Sequence, residues 1–131
     1  MKTFYEQIGG EAGVSALVDA FLRSLESERA VPLRTCYSKD LSYYADRMKA
    51  FLSGWLGGPM RYPGEFGMPM IVQKHRGFPV NSELTGLWLE CMREALRATV
   101  PQESLRLALE GVFWQMADHL RLSSTSDSPR V

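Results

Sequence analysis

The sequence has few of the residues that most often bind metal ions or form covalent cross-links. Two histidines and two cysteines, Cys36 and Cys91, occur among 131 residues. Two cysteines are too few for a disulfide framework, and these four side chains lack the spacing of a structural zinc site. No Walker loop, GxGxxG, HExxH or CxxC motif is present. The thiols therefore indicate a reduced, cytoplasmic protein.

Net charge and long apolar runs are also missing. Fifteen basic side chains balance fifteen acidic ones, whereas nucleic acids and anionic membranes are bound by surfaces with excess positive charge. No segment approaches the ~20 continuous apolar residues of a membrane span. The first residues also lack the apolar run of a secretory signal. We therefore expect neither a nucleic acid nor a membrane as a partner.

The residues that are plentiful predict one all-α domain. Hydrophobic residues make up 45% of the chain, and they recur at helical spacing with no convincing pair of strands. A capping box predicts a first helix near Thr3, and Pro32 is expected to open a short turn to Tyr37. Longer helices are predicted over 11–27 and 41–56, after Asn81 or Ser82, and after Pro101. The domain is expected over 1–122, followed by a polar, disordered tail over 123–131.

Residues 59–70 (PMRYPGEFGMPM) interrupt this pattern. Their Pro and Gly content predicts an ordered loop, and loops of this length in a small domain are often functional. His75 follows the loop and precedes Phe78 and Pro79. Taken alone, a lone histidine is more often structural or superficial than a ligand.

The chain resembles the truncated hemoglobins, in particular their group II branch. The resemblance spans residues 3–122. It is carried by 4–10 (FYEQIGG), 51–52 (FL), 55–59 (WLGGP), Tyr62, 66–67 (FG), Pro69, His75, Phe78, 88–89 (WL), 91–92 (CM) and 95–96 (AL). It implies a truncated globin fold, a two-over-two helical sandwich with an extended loop before the proximal histidine.

The resemblance also implies a haem b cofactor whose iron is held by His75, since neutral imidazole is a good axial ligand. Arg47 and Tyr62 match family positions at the propionate edge, and Lys74 is a further candidate there. The candidate walls, each of which can equally be plain core, are Phe51, Leu52, Phe66, Met70, Phe78, Met92 and Val112.

The distal side of the pocket departs from the family pattern. Trp88 matches a distal tryptophan and Tyr37 a distal aromatic residue. The usual tyrosine after the phenylalanine of the second helix is absent, because the pair here is Phe21 and Leu22. Tyr44 lies on the same helical stripe as Met48 and Phe51, so its ring is expected to point inward. Its hydroxyl then either replaces the missing donor or remains in water.

Three functions are compatible with these residues. The first is a haem protein that binds oxygen, carbon monoxide or nitric oxide, with oxygen transport as one role. The second is a haem enzyme of the peroxidase or nitric-oxide dioxygenase type. Such an enzyme needs a reductase or another electron donor, and it also needs an acid–base residue, a role for which His119 is badly placed. The third is a helical interaction module without haem, which His75, Trp88 and the loop together argue against. A monomer or a homodimer is expected.

Overall fold

The computed structural model describes residues 2–61 and 82–126, with side chains as far as residue 120. All regular elements in these residues are helical, which confirms the predicted fold class. The helices are α1 (Phe4–Gln7), α2 (Gly10–Ser24), α3 (Val31–Arg34), α4 (Ser42–Trp55), α5 (Ser82–Thr99) and α6 (Glu103–Ser126), with a short 3₁₀ helix over Glu28–Ala30 before α3. No helix in this part of the chain is long and apolar enough to span a membrane.

The capping box predicted for the first helix is confirmed. The hydroxyl of Thr3 accepts a hydrogen bond from the Glu6 N–H at 3.1 Å, and the Glu6 carboxylate accepts one from the Thr3 N–H at 2.9 Å. Each residue thereby satisfies a backbone donor that a helix start would otherwise leave without a partner. The backbone then turns at Gly9, whose φ of 105° is rarely adopted by residues with a side chain.

The helices form two pairs around one core. Helix α2 packs against both α4 and α5, and α5 packs against α6. The apolar side of α2 therefore lies at the centre, and four of its large side chains are completely buried. These are Val14, Leu17, Val18 and Phe21. Burying such a side chain contributes roughly 1.5–3 kcal/mol, so this helix is the main source of cohesion.

Two glycines shape the end of α4. Gly57 has a φ of 99°, which favours glycine and stops the helix where the GGP motif predicts. A Cβ atom on Gly58 would lie 2.4 Å from the ring of Tyr5. The Tyr5 N–H also donates to the Leu56 carbonyl at 2.9 Å. The N-terminal helix is thereby held against the last turn of α4.

Two helix ends differ from the predicted ones. Helix α2 stops at Ser24 instead of residue 27, because the Ser24 hydroxyl donates to the Phe21 carbonyl at 2.6 Å and competes with the regular backbone bonds. Helix α6 continues to Ser126, so the first four residues of the expected polar tail are helical. A serine-rich segment can extend a helix that is already nucleated. His119, which is exposed, consequently lies before the last turn of α6.

Candidate functional site

Four helices bring aromatic rings together in the core. The ring centroids of Phe21 in α2 and Trp88 in α5 are 5.4 Å apart. Trp88 also lies 6.0 Å from Phe113 in α6, and Phe113 lies 5.2 Å from Trp55 in α4. Tilted contacts at these distances suit the quadrupoles of aromatic rings. The indole of Trp88 is therefore held firmly from two sides.

The polar groups of Trp88 and Tyr37 interact, because the indole N–H of Trp88 lowers the pKa of the Tyr37 hydroxyl. Burial of this hydroxyl raises the pKa of Tyr37, with Tyr44, Cys36 and Cys91 adding to the effect and the Trp88 hydrogen bond opposing it. The hydroxyl therefore keeps its proton at neutral pH and has a donor to offer in an apolar setting. The two distal candidates come together although 51 positions separate them in the sequence.

Tyr44 contacts Tyr37. Its ring packs edge-on against Tyr37, with centroids 4.8 Å apart. Its hydroxyl accepts a long hydrogen bond from the Ser38 N–H at 3.4 Å. The ring is half-buried, and the hydroxyl is directed to the turn that carries Tyr37; the inward orientation expected from the helical stripe stays a prediction.

The tyrosine cluster continues to the surface through Tyr43. The centroids of Tyr43 and Tyr44 are 5.2 Å apart, and Tyr43 is 54% exposed. The guanidinium carbon of Arg47 lies 3.7 Å from the centre of the Tyr43 ring, a favourable cation–π contact. Arg47, which is half-buried, thus lies at the edge of the cluster, and its role towards propionates remains a prediction.

The other candidate site residues that the structure describes are either buried in the core or half-buried beside it. Leu52 and Met92 are almost fully buried in the main core. Leu22, Met48, Phe51 and Val112 are half-buried and pack against that core. Leu22 has no donor, so the second helix offers no hydroxyl at this place. Phe51 stacks on Trp55 with centroids 6.3 Å apart.

The remaining predicted site residues lie outside the described residues and stay predictions. They are Tyr62, Phe66, Met70, Lys74, His75 and Phe78. The chain enters this segment from Arg61, whose guanidinium forms an ion pair with Glu11 of α2.

This ion pair was not predicted from the sequence, because no local pattern distinguishes Glu11 from an acidic residue on a solvated helix face. The Glu11 carboxylate accepts hydrogen bonds from the Tyr5 hydroxyl at 2.9 Å and the Ser53 hydroxyl at 2.7 Å, as well as from Arg61. Partial desolvation raises the pKa of Glu11, but the three donors outweigh it and the net shift is downward. Ser53 is completely buried. Its hydroxyl also lies 2.9 Å from the Lys49 carbonyl, a contact that any serine within a helix can make, so the sequence carried no signal of the contact with Glu11.

Comparison with known proteins identifies the family. The sequence model of the bacterial-like globins matches residues 3–122. The chain belongs to the bacterial-like globin family. It is 35% identical to a group 2 truncated hemoglobin of Bacillus subtilis over 88% of this chain and 86% of that protein. These matches place the globin in group II.

Solved structures agree with the fold. The cold-adapted truncated hemoglobin of Pseudoalteromonas haloplanktis matches with a TM-score of 0.87 and 36% identity, covering 91% of this chain and 97% of that chain. The truncated oxygen-avid haemoglobin of Bacillus subtilis matches with a TM-score of 0.78 and 34% identity, covering 91% and 98%. A group II 2-on-2 hemoglobin of Agrobacterium tumefaciens matches with a TM-score of 0.86 and 31% identity, covering 92% and 94%. The predicted two-over-two fold is confirmed.

The described side chains fit a haem. Helices α4, α5 and α6 each carry apolar side chains that are only half-buried although they pack against the core. They include Met48, Phe51, Leu87, Trp88 and Met116. A broad, flat, apolar ring is the kind of group that completes the burial of such residues.

Proposed function

We propose that this globin holds haem b through His75 and reversibly binds a diatomic ligand, namely oxygen, carbon monoxide or nitric oxide. The observation that carries the proposal is the group of half-buried apolar side chains on α4 and α5 that includes Met48, Phe51 and Trp88. Placing the polar N–H of Trp88 beside the rings of Phe21 and Phe113 is costly, which supports a role for this N–H as a donor to a ligand. Family membership supports the cofactor.

When bound, haem supplies an iron that coordinates the gas. The protein supplies donors at fixed places: the indole N–H of Trp88 and the protonated hydroxyl of Tyr37. The Trp88 ring is held by Phe21 and Phe113, so its N–H is already ordered before a ligand binds. Such pre-organised donors favour a ligand that becomes partly negative on binding, which is oxygen rather than carbon monoxide.

Oxygen is therefore the ligand that we favour for this chain. A relative from Bacillus subtilis is described as oxygen-avid, and the distal pair gives a physical reason for the same preference here. We further propose that the protein acts in the cytoplasm, with oxygen transport or storage as its role, as a monomer or homodimer whose iron is kept reduced by a reductase.

Absorption spectra of the purified, haem-loaded protein test the proposal. We expect a ferrous form whose spectrum changes reversibly with oxygen and with carbon monoxide. His75→Ala should abolish stable haem uptake. His119→Ala is the matched control, because His119 is an exposed residue of α6, and it should leave the spectrum unchanged. Tight haem binding with an unaltered spectrum in His75→Ala contradicts the assignment.

A second candidate function is one-electron oxidation driven by peroxide. The ring contacts of Tyr44 with Tyr37 and with Tyr43 favour it, because tyrosine is among the side chains most readily oxidised by one electron. The nitric-oxide dioxygenase alternative is tested by the rate of nitrate formation from nitric oxide and oxygen.

A further inference from the structure

The turn between α3 and α4 carries Tyr37 and has few backbone hydrogen bonds of its own. Among the described residues, these bonds end where the Tyr37 N–H donates to the Arg34 carbonyl at 3.0 Å, and they resume where the Tyr44 N–H donates to the Leu41 carbonyl at 3.0 Å. Residues 38–40 between them are exposed. Backbone groups outside helices need side chains or water as partners. The position of Tyr37 therefore depends on the side chains that bind this turn.

The guanidinium of Arg34 binds the turn directly after Tyr37. Its Nη1 donates to the Ser38 carbonyl at 2.9 Å, and its Nη2 donates to the Lys39 carbonyl at 3.1 Å. Its Nε donates to the Glu26 carboxylate at 2.8 Å, which anchors the guanidinium to the chain that follows α2. A guanidinium is planar and presents its donors in a fixed geometry. The three bonds together therefore fix both its place and its orientation.

We propose that Arg34 is a positioning residue for the distal hydroxyl of Tyr37 and thereby slows the release of oxygen. This inference rests on the proposed function, in which that hydroxyl is a donor to the ligand. The Arg34 carbonyl accepts the Tyr37 N–H, and the Arg34 guanidinium binds the carbonyls of the next two residues. A shift of the Tyr37 backbone therefore breaks bonds to Arg34. Hydrogen bonds weaken steeply when their geometry is poor, so such a shift weakens the donor.

Tyr44 is a second contact of this turn, and it acts mainly on the ring of Tyr37. The two rings meet edge-on with centroids 4.8 Å apart, and Tyr37 also packs against the core. The hydrogen bond from the Ser38 N–H to the Tyr44 hydroxyl is 3.4 Å long, which makes it weak. We therefore expect loss of the Arg34 guanidinium to displace the Tyr37 hydroxyl while the ring stays in contact with the core.

Arg29 offers a matched control, because it is a second ion-paired arginine between α2 and α3. Its guanidinium forms ion pairs with Glu90 and Glu94, and both of these partners lie on α5. Arg29→Lys and Arg34→Lys each keep the positive charge and remove one guanidinium. Only Arg34→Lys removes bonds to the backbone beside Tyr37.

Hydrogen exchange of the haem-loaded protein, followed by mass spectrometry, tests the anchoring of the turn. The amides of residues 36–38 donate to the Leu33 carbonyl, the Arg34 carbonyl and the Tyr44 hydroxyl. In Arg34→Lys they should exchange about tenfold faster, which corresponds to an opening free energy lower by ~1.4 kcal/mol. In Arg29→Lys they should exchange as in the parent. Equal exchange in Arg34→Lys and the parent refutes the anchoring.

Oxygen dissociation by stopped flow tests the link to the Tyr37 hydroxyl. Arg34→Lys should release oxygen about tenfold faster, equivalent to ~1.4 kcal/mol, and Arg29→Lys should match the parent. In Tyr37→Phe, which has no hydroxyl to position, adding Arg34→Lys should change the rate no further. An equal acceleration in both backgrounds refutes the proposal, because Arg34 then acts on the pocket by another route. An unchanged rate in Arg34→Lys refutes it as well.

Glu26→Gln keeps the inference testable where Arg34→Lys does not fold. It removes the charge that anchors the guanidinium and leaves Arg34 in place. Oxygen release should become about threefold faster, an effect typical of one partly exposed ion pair, and this acceleration should vanish in Tyr37→Phe. An unchanged rate in Glu26→Gln then refutes the proposal. A protein that takes up no haem overturns the proposed function itself, whereas hydrogen exchange still decides whether Arg34 anchors the turn.

Discussion

Replacing Trp88 by phenylalanine removes the one distal donor that is fixed by rings on two sides. The new side chain keeps an aromatic ring between Phe21 and Phe113, which lie 5.4 Å and 6.0 Å from Trp88, so packing changes little. What disappears is the indole N–H. A hydrogen bond to a charged group contributes roughly 1.5–3 kcal/mol. At ~1.4 kcal/mol per factor of ten, oxygen release should become about ten- to a hundredfold faster.

The assay is oxygen dissociation by stopped flow, with the stretching frequency of bound carbon monoxide as a second reporter of the donor. Tyr44→Phe is the matched control, because it removes a hydroxyl that is directed to Ser38, and its rate should stay near that of the parent. The Tyr37 hydroxyl loses a partner in Trp88→Phe, which should cost about 1 kcal/mol of unfolding free energy. An unchanged rate and frequency in Trp88→Phe would refute the assignment, and a large effect in Tyr44→Phe would move the donor there.

The remaining predictions concern stability. Glu11→Gln should lower the unfolding free energy at neutral pH by about 1 kcal/mol or less, since its partners are partly exposed and screened. The pKa of Glu11 is lower in the folded state than its ordinary value of 4.5. The stabilisation by Glu11 is therefore fully present above pH 4.5 and is lost as the pH falls through the folded-state pKa. The denaturation curves of parent and variant should consequently converge in acid. Gly13→Ala should destabilise by about 1–3 kcal/mol, because its Cβ would lie 1.9 Å from the Ile8 carbonyl oxygen. Gly86→Ala, with no atom within 4 Å of its Cβ, should instead stabilise by about 0.5–1 kcal/mol; equal thermal melts for the two variants would contradict this steric argument. Haem removal should lower the melting temperature, with about 2.7 kcal/mol of stabilisation expected at a hundredfold excess over the dissociation constant, and identical melts would count against a haem that binds the folded state.

Rules that depend only on neighbouring residues predicted the helices well. The capping box at Thr3 and Glu6 involves residues three apart, and the stop at Gly57 needs one backbone angle, so both follow from neighbouring residues alone. Helical periodicity likewise identified the buried side of α2. Trp55 lies one helical turn after Phe51 and so on the stripe predicted for α4, but 36% of this residue is exposed, because spacing gives the direction of a side chain and not what covers it.

The side chains of the candidate site come together through contacts between residues that lie far apart in the sequence. The pairing of Tyr37 with Trp88 joins a turn to a helix that follows much later in the chain, and no local pattern contains it. The resemblance to truncated hemoglobins supplied both residues as candidates but not the interaction between them. Glu11 and Ser53 were missed for the same reason, since 42 positions separate the two side chains. The placement of His75 remains a prediction.

The contacts of the Glu11 carboxylate restrict which substitutions relatives of this protein can accept. It joins Tyr5, Ser53 and Arg61, which come from the first helix, the fourth helix and the entrance to the segment that carries the predicted iron ligand. Losing Glu11 alone would leave the buried hydroxyl of Ser53 without the Glu11 carboxylate as an acceptor. We therefore expect these four positions to be inherited and replaced as a set across relatives. An alignment in which they vary independently would show that other contacts fix the start of the loop.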